Sequence, residues 1–264
     1  MPVIIDGTNG VNTPNTFAFK NRIIDGGFTI NQRGYTSGTS LSSGSYGHDR
    51  WKGGASGGTY TFTQGSTGVN TTITITAGSI IQVIEGANLP EGGTYVLSWT
   101  GTAQGKIGAG SFGASGITGT ITAGTNTNIE FNTGTCGNVQ LEVGSTATSF
   151  DYRPYGTELN LCYRYFAKFS APCLRGIANN STTESGRRMG MVLPVTMRAT
   201  PTVTHSGMQL YDGSVACNVT GTASGFSTTQ VIELDLNSDS SSMTLGRACA
   251  QYQSAGSLSA SAEL

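Results

Sequence analysis

Charge is what this sequence has least of. Asp, Glu, Lys and Arg make up 11% of its 264 residues, against roughly 25% in an ordinary soluble domain. The 14 Lys and Arg nearly balance the 15 Asp and Glu, for a net charge of −1, and they form no run. A protein that grips nucleic acid through phosphates needs a basic stripe, and an anionic membrane surface asks for the same. Neither partner is expected. Histidine is limited to His48 and His205, and with five scattered cysteines these supply no transition-metal site. No metal and no cofactor is expected. Cys136, Cys162, Cys173, Cys217 and Cys249 are odd in number and never spaced C-x-x-C. That pattern suits buried free thiols in a reducing compartment rather than a disulfide scaffold. No basic segment leads into an apolar stretch at the N-terminus, and no apolar run reaches membrane-spanning length. The expectation is a protein made in a cytoplasm, neither secreted nor inserted in a membrane.

What the chain does have is β-forming residues separated by glycine, of which there are 39. Solubility must then come from Ser, Thr, Asn and backbone. Residues 59–63 (TYTFT) and 72–76 (TITIT) alternate, and 95–99 (YVLSW) is apolar enough for a central strand. Further short β signals follow at 118–122, 128–131 and 139–143, and again at 189–195, 202–204, 208–211, 215–219, 231–236 and 243–248. Short strands at regular spacing with glycine turns predict sandwiches or barrels. No stretch between them is long enough for the crossover helices of a parallel sheet.

One segment differs. Arg153-Pro154-Tyr155-Gly156 ends a strand, because proline removes a ladder donor and restricts its predecessor. Thr157 is placed to cap a helix in which Leu159, Cys162, Tyr163 and Phe166 share a face at i, i+3, i+4, i+7. The predicted class is all-β. It comprises an N-terminal extended arm (1–18), a β-sandwich domain (19–153), a linking turn and helix (154–170) and a second small β-sandwich (171–264). Pro154, Leu159, Cys162, Tyr163 and Phe166 are the expected structural junction.

Catalytic motifs are present only in form. Residues 108–113 (GAGSFG) fit G-x-G-x-x-G, but a dinucleotide site needs that loop to open a helix, and strand-like residues follow it. Residues 54–58 (GASGG) fit G-x-S-x-G without the strand-to-helix turn of a nucleophile elbow. Scattered acids such as Asp25, Glu91, Glu130 and Asp151 could include a glycosidase pair, but read better as turn and capping residues. No catalytic residue is assigned. Sugar rings stack their C–H face on aromatics while hydroxyls meet polar side chains. Tyr35, Tyr46 and Tyr60, in or beside polar loops, are therefore the candidate carbohydrate contacts. Trp51 and Trp99 read as core.

The stretches 21–34 (NRIIDGGFTINQRG), 48–51 (HDRW), 79–86 (SIIQVIEG), 94–103 (TYVLSWTGTA) and 139–166 (VQLEVGSTATSFDYRPYGTELNLCYRYF) together resemble a family of bacteriophage tail-fibre and virion structural proteins. Residues 191–204 and the ending SLSASAEL resemble that family's C-terminal domain. The resemblance implies a jelly roll similar to carbohydrate-binding modules, followed by a helix and a C-terminal β-domain. It implies a homo-oligomer, usually a trimer, on the tail or capsid surface of a virion assembled in the host bacterial cytoplasm, with host surface glycan as ligand. Related jelly rolls often hold calcium through an acid after an early Gly-x-Phe, but here Phe28 is followed by Thr29, and no ion is carried over.

Three functions follow as expectations. The first is a tail fibre or receptor-binding protein that recognises glycans without cleaving them. The second is a capsid decoration or head fibre with a purely structural role, the arm meeting other virion proteins. The third is a glycan-degrading tail enzyme.

Overall fold

A computed structural model describes residues 4–6, 10–12, 19–170, 174–178, 187–224, 227–238, 244, 246–252 and 256–264. Among these are nineteen strands and one α-helix, so the chain is all-β. It divides into two compact units, Met1–Glu158 and Leu159–Leu264.

In the first unit, β1 (Ile4–Asp6) and β2 (Gly10–Asn12) form an antiparallel hairpin within the expected arm; the rest of that arm lies outside the described residues. The main sheet has eight strands: β3 (Ser40–Leu41), β4 (Lys52–Thr61), β5 (Ile73–Ile84), β6 (Gly93–Thr100), β7 (Gly105–Ile107), β8 (Ile117–Ile121), β9 (Thr127–Phe131) and β10 (Gly134–Val143). Their order is β3-β4-β5-β10-β6-β8, with β9 also on β5 and β7 on β9. The twelve-residue β5 makes this branching possible. Its first residues pair with β10 (Ile75↔Gly134) and its last with β9 (Ile84↔Thr127). Alternation, with its phase switched by a register shift where Thr59 pairs with Ala77 and Tyr60 with Ile75, puts Ile73, Ile75, Ile80 and Ile84 of β5 in one core with Trp51, Trp99, Phe131 and Leu141. Both indole N–H groups are satisfied there, Trp51 donating to the Asp25 carbonyl and Trp99 to the Ala103 carbonyl, each at 3.0 Å.

The second unit departs from two facing sheets. Strands β12 (Arg175–Ala178), β13 (Arg187–Val192), β15 (Gln209–Tyr211), β16 (Ala216–Ser224), β17 (Val231–Ser238) and β18 (Ala248–Tyr252) close a barrel in the order β12-β13-β17-β16-β15-β18. Beside it, β11 (Phe166–Ser170), β19 (Ser257–Ser261) and β14 (Thr202–Ser206) form a three-stranded sheet. Closure removes the free edges that an open sandwich would expose. Ile232, Leu234 and Leu236 point inward at every second position of β17, meeting Met189, Leu210 and Cys249. Of the strand signal at 243–248, Met243 and Leu245 lie outside the described residues, and the strand itself begins only at Ala248.

The helix α1 (Tyr155–Tyr163) is shorter than its sequence pattern. It starts two residues before Thr157, with the Pro154 carbonyl accepting from Thr157 (2.9 Å) and Glu158 (3.1 Å). It ends before Phe166, which opens β11 and pairs with Ser261. The expected four-residue stripe is thus split between helix and strand. Ladder bonds to β19 outcompete one more helical turn. Cys162 is buried, while Leu159 and Tyr163 are half-buried.

Candidate functional site

Residues 19–30 make no ladder of their own, yet Ile23, Asp25 and Phe28 are fully buried. Side-chain amides replace the missing strand partner. Gln82 of β5 accepts from Ile24 N–H (2.8 Å) and donates to the Ile24 carbonyl (2.7 Å). Asn21 accepts from Leu141 N–H (3.0 Å) and Ile23 N–H (2.9 Å), and donates to the Val139 carbonyl (3.0 Å). A register shift in β10 between Gly137 and Gln140, with Asn138 at φ 49°, releases Val139 N–H to the Gly26 carbonyl at 2.8 Å. Gly26 has to be glycine here, because a Cβ would lie 2.2 Å from the Val139 carbonyl oxygen.

The segment after β10 returns over the same residues. Arg153 donates to the carbonyls of Ile23 (3.1 Å) and Asn21, and to both Glu158 oxygens (3.0 and 3.1 Å). Glu158 in turn accepts from Asp25 N–H at 2.5 Å. Asp151 N–H donates to Gln140 (2.8 Å) and its carboxylate faces Asn21 N–H (3.5 Å). The stretches 21–34 and 139–158 are therefore one clasp. Asp25 sits inside it with 0% exposure; Thr29 and Ile30 N–H bond its Oδ1, and its Oδ2 has no partner among the described residues. Burial first, then the charges of Asp49 and Glu158, hold its carboxyl well above the usual carboxylate range.

Over the clasp lies a small recess of about 20 Å³, room for one or two waters. Its polar lining includes Asn21, Asn70, Asp151, Arg153 and Glu158, and its aromatic lining is Phe150 and Tyr155. Gly27 brings Asn70 close, since a Cβ there would stand 2.5 Å from Asn70 Oδ1. Tyr155 packs at Gly68 and is 37% exposed; Tyr152, edge-on to Phe150 at 4.9 Å, is 70% exposed. A wider groove of about 450 Å³ is lined only by uncharged residues of 108–109 and 120–128.

The three candidate tyrosines do not share one open face. Tyr60 is fully buried, its hydroxyl accepting from His48 N–H (2.8 Å) and meeting His48 Nδ1 (2.9 Å). With no exposed surface it offers nothing to a sugar, and burial raises its pKa. Its neighbour His48 also meets Gln64 (3.2 Å), and burial lowers its pKa to about 4. Tyr35 is half-buried on this cluster, 4.6 Å from Tyr60 and stacked on Phe62 at 5.9 Å. Tyr46 is half-buried with Arg33 and Lys52 over its ring at 4.8 and 5.6 Å. Proximity of tyrosines to glycine-rich loops does not say which way the rings turn, and here they turn inward or onto cations. The recess residues were missed as a site. Their signal was the run Phe150-Asp151-Tyr152-Arg153-Pro154-Tyr155, aromatic alternating with charge just past the last strand.

The formal motifs keep no chemistry. After residues 108–113 the chain enters β8 with no helix, and Ser56 lies inside β4. Among the described residues no group of three or more His, Cys, Asp and Glu could hold a metal ion, and no helix is long and apolar enough to cross a membrane.

Fold and site together define an all-β protein of two units whose first carries a polar, aromatic-rimmed recess. No protein-family model matches the chain, and no curated protein or solved structure does.

Proposed function

We propose that the chain is a bacteriophage virion structural protein whose first unit is a jelly roll that attaches to host surface glycans without cleaving them. One observation carries the reading. Two of the stretches that carry the family resemblance, 21–34 and 139–166, fold onto each other through Asn21, Glu158 and Arg153, so these motifs act as one structural unit and not as scattered matches. A surface with few charges and many Ser, Thr and Asn suits contact with neutral, hydrated partners. Single sugar contacts are weak, and copies on a homo-oligomer, a trimer in this reading, would multiply them. The test is adsorption. Purified protein should bind host cells, block phage attachment and leave the host polysaccharide at its original length. Failure to bind or block sinks the glycan reading, and depolymerisation would favour the tail enzyme.

A purely structural role, as a capsid decoration or head fibre, is the second reading. It is favoured by the inward-facing work of the motif residues, which hold backbone together. The hairpin β1–β2 suits contact with other virion proteins, because two strands alone are marginally stable in water. Mass spectrometry of tail-free heads decides it, presence supporting this role and absence removing it.

A further inference from the structure

We infer that the recess over the clasp is a subsite for the end of a neutral sugar. A single hydroxyl or hydroxymethyl group sits in the pit and the ring rests on Phe150 and Tyr155. This rests on the glycan-attachment reading and sharpens it to named residues and a ligand class.

Volume sets the first limit. A recess of about 20 Å³ holds one or two water-sized groups and no whole ring. The ligand must lie across the mouth and insert one substituent. Chemistry sets the second. Arg153 and Asn70 bring donor-bearing side chains to the lining, the Arg153 guanidinium being held in place by Glu158 and by the Ile23 and Asn21 carbonyls. Asp151 supplies a carboxylate whose one hydrogen bond among the described residues is the long 3.5 Å approach from Asn21 N–H. Asn70 presents Oδ1 beside Gly27. A donor and acceptors thus line one pit, and a hydroxyl, which donates and accepts, satisfies both kinds at once.

Charge excludes the alternatives. Arg153 is countered by Glu158 through both carboxylate oxygens, which leaves the Asp151 charge in excess. An anionic sugar would meet that carboxylate in a confined site. An apolar group would strand the Asp151 acceptor. The aromatic edge completes the match. Phe150 and Tyr155 line the recess, and Tyr152 extends the rim from Phe150. Rings placed beside a few aimed polar groups are how proteins hold the C–H face of a sugar while reading its hydroxyls.

Saturation-transfer NMR and titration of the full chain tests this, with methyl glycosides of glucose, galactose and N-acetylglucosamine as neutral probes and methyl glucuronide as the acidic one. At least one neutral glycoside should bind, shifting the ring protons of Phe150 and Tyr155, while the glucuronide binds at least about tenfold more weakly. Tyr155→Ala and Asp151→Asn should each weaken the neutral probe about tenfold or more. The ring-proton shifts are read on the unaltered protein, so they stand even if a variant folds poorly. Wild-type binding that leaves these protons unmoved, or folded variants that bind undiminished, overturns the recess as the subsite and leaves glycan attachment standing. Stronger binding of the glucuronide overturns the neutral class. If host cells bind the protein and no probe does, the subsite fails alone; if neither binds, both readings fail.

Discussion

Replacing Arg153 by Met should unfold the first unit far more readily than loss of a surface charge would. Exposed ion pairs contribute roughly 0.2–1 kcal/mol. Arg153 is not of that kind. Its side chain is 5% exposed and that of its partner Glu158 13%. The substitution removes the donors to the Ile23 and Asn21 carbonyls and both bonds to Glu158. Among the described residues it leaves the Glu158 carboxylate held by Asp25 N–H alone, with the Asp25 carboxyl close by. Breaking a buried pair from one side costs about 3–5 kcal/mol, because an uncompensated charge stays behind. With a urea m-value of about 2 kcal/mol/M, the midpoint should fall by about 1.5–2.5 M. The chain provides its own reporter, since both tryptophans, Trp51 and Trp99, lie in the core of the first unit. Their fluorescence follows that unit whatever the barrel does. Arg153→Met/Glu158→Gln should cost less than Arg153→Met alone, because the stranded charge is gone; the cycle gives the coupling. A midpoint shift below about 0.5 M for Arg153→Met would refute the picture of a desolvated clasp.

Tyr60→Phe leaves His48 N–H and Nδ1 without their hydroxyl partner in a closed core, and should cost about 1–3 kcal/mol in urea unfolding; an unchanged midpoint would mean that water replaces the hydroxyl. The His48 pKa is lowered below the unfolded value of about 6.5. That contribution to stability is therefore in place above about 6.5 and lost as pH falls toward about 4; ring-proton NMR should find His48 neutral at pH of about 5.5, and a charged ring there contradicts the burial. Asp25 has the opposite sign. Its folded pKa is raised, so its contribution is complete below the unfolded value of about 4 and lost as pH rises through the folded pKa. Asp25→Asn should cancel this slope, and parallel pH–stability curves for the two proteins would argue against it. Gly26→Ala drives a Cβ to 2.2 Å from the Val139 oxygen, where both sides are backbone, and should cost about 1–3 kcal/mol or more; a neutral effect would mean the clasp yields.

The strand class was legible because period-2 alternation is local. Residues 231–236 read as a strand and are one, with Ile232, Leu234 and Leu236 inward. Trp51 and Trp99 read as core and are buried. Pro154 read as a strand terminator, but β10 already ends at Val143, and the proline instead stands directly before the helix. Partners at long separation were not legible. Barrel closure pairs Gly176 with Cys249, and nothing in either stretch names the other. Phe166 fits a helical face as well as a strand until Ser261 offers its backbone. Tyr60 alternates like a half-exposed strand residue, yet it is sealed inside because His48 and Tyr35 from other segments close over it beside its near neighbour Phe62. The recess is the extreme case, since residues near 21–29, 68–70 and 150–158 meet only after the β10 bulge frees Val139 to hold Gly26. Sequence alone determined that this protein is built mainly of β-strands and poor in charge, since side-chain period and composition are properties of neighbours in the chain. Tertiary structure alone decided which polar and aromatic groups face a ligand, since that depends on which distant backbone takes up each hydrogen bond.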